Sequence, residues 1–253
     1  MNKSIKIKRK KLSTIISAIS IIALSSILIS SGSLFPSANG QTTTCKNQES
    51  KNTLPVLLIH GWNQGSGGDF PNDWSAWEQR LNQENIPFCI VSFQQSSDAC
   101  GSSVDHAQEL DQIIKKVKND TGQNQVNIVG YSKGGLDARV YLNNDLVNND
   151  VKNLIMIGTP NAGSALAIGS LICVPAVFDL LPGSDATKAE RNPHTKYHTI
   201  AGICAGFGDL LVFELSVNSQ PYFNPLGLSP NCHHNLLGSF EYGLAHNVLI
   251  GNQ

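Results

Sequence analysis

The chain has no C-x-x-C pair among its 253 residues, and only 15% of it is charged. The first absence removes the usual support for dithiol redox catalysis or a zinc ribbon. Residues 1–40 hold six of the 18 bases and none of the 19 acids, leaving 12 bases against 19 acids, a net −7, for the rest. An acidic body without a basic stripe offers no electrostatic footprint for phosphate backbones, which argues against DNA or RNA as a partner. No internal repeat or second domain is visible. A content of 41% hydrophobic residues excludes low-complexity disorder and suits one globular core.

The N-terminus reads as an address. Lys3, Lys6, Lys8, Arg9, Lys10 and Lys11 form a basic stretch, followed by the uncharged run Leu12–Ile29 and then the small residues Ala38 and Gly40. This order predicts a secretory signal over residues 1–40, cleaved after Gly40, with residues 41–253 as the exported domain. The expected location is therefore secreted or extracytoplasmic. A retained anchor is the competing reading, because the 18-residue run approaches the ~20 residues that span a bilayer. Repeated serines dilute that run. Cys45, Cys89, Cys100, Cys173, Cys204 and Cys232 all follow residue 40, as an oxidising destination predicts. Six cysteines allow 15 full pairings. Cys204–Cys232 is the favoured pair because it brackets a long loop region; buried free thiols are the alternative.

Short apolar runs alternate with helical patterns after residue 54. Val56–His60, within LPVLLIHG, is closed by glycine and reads as a parallel strand buried on both faces. Asp73 can cap a helix through about Asn82, in which Trp74, Trp77 and Leu81 recur at helical spacing. Phe88–Phe93 reads as a strand, and Val104, Ala107, Leu110, Ile113, Ile114 and Val117 make one stripe of an amphipathic helix. Val126–Val129 (strand), Gly134–Leu142 (helix), Val151–Ile157 (strand) and His198–Ile203 (strand) complete a βαβαβαβ order. Parallel strands need helical crossovers that cover both faces, so the expected class is α/β, a three-layer α/β/α sandwich.

Between the strand ending at Val129 and the following helix lies GYSKG, a G-x-S-x-G pattern with Ser132 at its centre. Five residues alone are weak evidence. The strand before and the helix after supply the context in which such a serine is exposed on a strained turn. The Lys133 amide then sits at a helix N-terminus, suited to hold an oxyanion, and the side-chain amine is not needed for this. A second donor is expected after the first core strand, where IHGW (residues 59–62) offers the Trp62 amide. His60 in that segment reads as a loop-shaping residue. GSGG at 65–68 lacks the lysine and helix entry of a phosphate loop.

HGW, GYSKGGLDAR and IGTPNAGS, in that order and spacing, resemble the secreted lipases and esterases of the α/β-hydrolase superfamily, and bacterial-type class 2 triacylglycerol lipases in particular. The resemblance covers residues 54–240. It implies an α/β-hydrolase fold with a mostly parallel sheet, and hydrolysis of lipid or small acyl esters by a triad in the order Ser, Asp, His. By the family pattern, Asp209 in GDLLVFELS is the acid, with Asp179 and Asp185 as rivals; an insertion around Cys204–Gly208 departs from the shorter family turn. The pattern H-x-x-L-L places His233 on the base, with His234 as runner-up. His246 reads as a packed or surface residue, and His194 and His198 precede the acid. No metal and no cofactor is implied, and a monomer with transient contact to lipid interfaces is expected. Residues 161–196, nearly uncharged from Ala165 to Leu181, read equally as a lid or as an outer helix. Acyltransferase, polyester depolymerase and a non-catalytic lipid-binding relative are the rival readings of the same scaffold.

Overall fold

The structure is a computed structural model that describes residues 43–62, 74–93, 95–96, 100–144, 149–164, 174–204, 208 and 212–251. The expected leader over residues 1–40, Asp73, the GSGG stretch, Asp209 and residues 165–173 of the 161–196 connection lie outside the described residues.

Seven strands form one sheet in the order β1-β3-β2-β4-β5-β6-β7. They are β1 (Thr44–Lys46), β2 (Val56–Ile59), β3 (Phe88–Val91), β4 (Val126–Tyr131), β5 (Val151–Ile157), β6 (Lys196–Gly202) and β7 (Phe223–Ser229). All neighbours pair in parallel except β1, which runs antiparallel to β3. Every residue of β2 is buried, and successive side chains alternate between the two faces of the sheet. Leu57 and Ile59 join an apolar cluster with Leu110 and Ile114 of α2 (Ser103–Thr121) and Leu136 and Val140 of α3 (Lys133–Asn144). Val56 and Leu58 join a second cluster with Trp77 and Leu81 of α1 (Ser75–Gln83) and Tyr242 and Ala245 of α6 (Ser239–Leu249). The result is an α/β/α sandwich. Two short helices, α4 (Val174–Asp179) and α5 (Glu214–Val217), and a 3-10 turn (His233–Asn235) complete the described elements. Among the described residues, no helix is long and apolar enough to cross a membrane.

Helix α2 extends past its apolar stripe because both ends are capped. The Ser102 hydroxyl accepts the Asp105 amide, and Gly122 takes a left-handed conformation at the far end. Two strands escaped the sequence pattern. Strand β1 has only three residues and sits at the sheet edge, where Cys45 faces Cys89 and is bonded to it. Strand β7 carries Pro225 and Gly227, and its middle is exposed. Both residues weaken a strand pattern and are tolerated at an edge. The register shift between Thr199 and Ile200 lets Thr199 face Pro225 and Ile200 face Gly227, skipping Leu226.

A polar row crosses the sheet near its start. Asn153 donates to Asn127 (2.9 Å), His198 Nε2 meets Asn153 Oδ1 (3.3 Å), and Asn224 Nδ2 meets His198 Nδ1 (3.1 Å). A neutral imidazole with its proton on Nε2 satisfies both contacts, whereas a second proton would set N–H against N–H. Burial, with Lys196 nearby, pushes the His198 pKa from the ordinary 6.5 down to about 4. The unfolded chain therefore binds the extra proton first, and stability falls as pH drops from 6.5 toward 4. Thermal melting across that window should show a decline of about 5 °C that His198→Gln flattens. An equal decline in the variant would assign the acid sensitivity elsewhere.

Candidate active site

Ser132 stands between the end of β4 and the first residue of α3. Its φ is 51°, a left-handed conformation that costs an L-residue about 1–2 kcal/mol. The turn is held by the Ser132 amide donating to Ile157 (2.8 Å) and the Gly135 amide donating to the Ser132 carbonyl (3.1 Å). The glycines of the motif are required by contact. A Cβ on Gly130 would stand 2.6 Å from the Gly135 nitrogen, and one on Gly134 would stand 2.4 Å from the His60 carbonyl oxygen. The turn thus closes only if these side chains are absent, and closing it leaves Ser132 half-buried with its hydroxyl toward His233.

His233 meets that hydroxyl. Its Nε2 lies 2.9 Å from Ser132 Oγ, across 101 residues of sequence. It heads a short 3-10 turn (His233–Asn235) and is buried, while its neighbour His234 is exposed. The Tyr131 hydroxyl donates to the His233 carbonyl (2.7 Å), and the two rings lie 5.0 Å apart. Cys232, the residue before His233, is bonded to Cys204, two residues past the end of β6, so the favoured cysteine pair ties down the segment that carries the histidine.

The other candidates are placed elsewhere. His246 pairs with Glu84 (2.7 Å), His194 is exposed, and His198 belongs to the polar row inside the sheet. His60 Nδ1 donates to the Gly61 carbonyl (2.8 Å), a local bond within its own loop. Asp179 accepts from the Ser103 amide (2.6 Å) and lies 3.9 Å from Lys133 Nζ, while Asp185 is exposed. Gly61 packs on the serine, since a Cβ there would stand 2.9 Å from Ser132 Cβ; Trp62 follows it in the chain and packs on the core. The Lys133 amide belongs to the first turn of α3, whose N–H groups have no helical acceptor.

The Lys133 side chain turns away into a buried ionic cluster that the sequence reading did not foresee. Its Nζ donates to Asp137 Oδ1 (2.6 Å), which also accepts from the Ser103 hydroxyl (2.6 Å), while Asp137 Oδ2 meets His106 Nδ1 (2.8 Å). His106 stacks on Phe93 with ring centroids 4.0 Å apart. Burial alone would raise the Asp137 pKa, but Lys133 and His106 outweigh it and hold the carboxyl well below the usual range. Asp179 has the opposite balance: burial raises its pKa despite the Ser103 and Lys133 contacts. The available signal was the i,i+4 pair of Lys133 and Asp137 at the start of an otherwise weakly charged helix. Among the described residues, no group of three or more His, Cys, Asp and Glu side chains is placed to hold a metal ion.

A mostly parallel sheet flanked by helices, with a serine on the strained turn after its central strand and a histidine delivered from beyond the last strand, defines an α/β-hydrolase. The family model for palmitoyl protein thioesterase matches residues 55–198, more than half of the chain, and the chain belongs to that family. The matched span includes Ser132 and ends before His233. Solved structures share the fold at low identity. The mature form of Bacillus licheniformis lipase BlEst2 is 21% identical, with a TM-score of 0.66 over 79% of this chain and 93% of that one. A Paleococcus ferrophilus monoacylglycerol lipase is 12% identical, with a TM-score of 0.58 over 84% of this chain and 100% of that one. A structure from a study of Nitrososphaera gargenis carboxylesterases is 15% identical, with a TM-score of 0.57 over 83% of this chain and 95% of that one.

Proposed function

We propose that this protein is an exported serine hydrolase that cleaves carboxylic lipid esters through an acyl-enzyme. The observation that carries the proposal is the 2.9 Å contact between His233 Nε2 and a Ser132 hydroxyl held at positive φ. A serine hydroxyl is a poor nucleophile until a base takes its proton, and His233 is within reach to do so as the oxygen attacks the acyl carbon. Asp209 is assigned to fix the histidine's tautomer and stabilise its positive form. The Trp62 and Lys133 amides are assigned to the oxyanion, with the Lys133 ammonium held away from it by Asp137. His233 returns its proton to the departing alcohol, and water then resolves the acyl-enzyme by the same route.

Two described disulfides and the basic-then-apolar leader support export. The motifs HGW, GYSKGG and IGTPNAGS favour a bacterial-type class 2 lipase. Thioester cleavage is the second reading, favoured by the family match. Fatty acyl esters and the corresponding acyl thioesters, compared at graded chain length, separate the two. Ester turnover is expected, falling by about 10⁴-fold or more in Ser132→Ala. Turnover of thioesters alone would move the assignment to the second reading, and a folded wild-type protein inactive on both would overturn it.

A further inference from the structure

We infer that Glu241 is a positioning residue for His233; this rests on the hydrolase reading and extends it to a carboxylate that the reaction itself does not use. Glu241 lies in the first turn of α6 and is fully buried. Its Oε1 accepts from the Ser229 hydroxyl and from Asn231 Nδ2 (2.9 Å), and its Oε2 accepts from the Gly238 amide (3.0 Å). The Ser229 hydroxyl in turn accepts the Asn231 amide (3.1 Å). One carboxylate therefore binds both ends of the segment between β7 and α6 in which His233 lies. The disulfide at Cys232 and the Tyr131 hydroxyl hold the middle of the same segment.

The simpler role for such a residue is a helix cap, and the Gly238 bond is one. Capping accounts for Oε2 only. The bonds of Oε1 run to β7 and to the turn before the histidine, where no helix end needs them. A buried carboxylate costs several kcal/mol unless its oxygens are satisfied, and here both are. Bonds from both oxygens fix the segment's position, and position matters because a displacement of about 1 Å in a catalytic group can lower the rate about 100-fold.

Exchange of Glu241 for Gln keeps the shape but replaces one acceptor with an N–H₂ group, which must face either the Gly238 amide or the Ser229 and Asn231 donors. Glu241→Gln should lower kcat by about 10–100-fold with KM within about threefold. The rate at which a fluorophosphonate probe labels Ser132 should fall in parallel, because that reaction needs the same proton transfer without substrate binding. Asn231→Ala, which leaves the Gly238 cap intact, should lower kcat by about tenfold. The double variant should be little worse than Glu241→Gln alone, since both act through one oxygen. A lowered melting temperature with unchanged kcat and labelling rate would make Glu241 a cap and nothing more. If Glu241→Gln does not fold, full kcat in Asn231→Ala overturns the proposal by itself. Failure of the wild-type protein to label at Ser132 would refute the hydrolase reading instead, so the two failures are separable.

Discussion

Replacing His233 by Ala is expected to lower kcat/KM by about 10⁴-fold or more, while His234→Ala stays within about tenfold of wild type. The two residues are adjacent and chemically identical, so the difference must come from placement. His233 is buried with Nε2 at 2.9 Å from Ser132 Oγ, and His234 is exposed with its ring centroid 6.3 Å from that of His233. Loss of His233 removes the base that meets the Ser132 hydroxyl among the described residues, and on the proposed mechanism the remaining rate comes from substrate binding and the proposed oxyanion donors. The tilted Tyr131 ring packs against the imidazole, so His233→Ala also removes buried contact. Its thermal unfolding should be measured beside the kinetics. A folded His233→Ala with near-normal kcat/KM, or a larger loss in His234→Ala, would transfer the role of base.

Asp137→Ala is expected to destabilise the fold by about 3–5 kcal/mol in urea unfolding. Asp137 is 1% exposed and accepts from Lys133, Ser103 and His106. Its removal leaves the Lys133 ammonium buried, with Asp179 at 3.9 Å as the remaining described carboxylate of the cluster. Most of the loss is the cost of an uncompensated buried charge rather than the worth of the pair. Joint replacement, Lys133→Met with Asp137→Leu, should therefore recover much of the stability. The same linkage gives a pH signature. The folded state holds Asp137 ionised far below its ordinary 3.8, so its contribution is intact above that value and is lost as pH falls beneath it. A small effect of Asp137→Ala would mean that the cluster is hydrated or loosely held.

Where one residue type dominates the energetics, the sequence was a good guide. The strand at Val151–Ile157 has the bounds the sequence predicts, because its second half, Leu154–Ile157, is an apolar run of a central parallel strand buried on both faces. The serine turn was legible because glycines are forced on it by contacts as short as 2.4 Å. The edges were not legible. Pro225, Gly227 and a bulge mask the pattern of β7, and β1 is too short to carry one. Helix α2 runs four residues past Val117, the last residue of its stripe, because Thr121 bonds back to the Val117 carbonyl and Gly122 closes the end. The choice between His233 and His234 came from a family pattern rather than from residue chemistry, and the fold separates them by burial. Glu241 was invisible because its partners, Ser229, Asn231 and Gly238, are ordinary loop residues until the chain brings them to one carboxylate.

The central claim is that the Ser132 hydroxyl is the nucleophile, and covalent capture tests it without reference to any substrate. The protein is treated with a fluorophosphonate, digested, and the modified peptide sequenced by mass spectrometry. The account predicts a single adduct on Ser132, formed as activity is lost, greatly slowed in His233→Ala and absent in Ser132→Ala. An adduct on a different serine that abolishes turnover, or full turnover in Ser132→Ala, would contradict it.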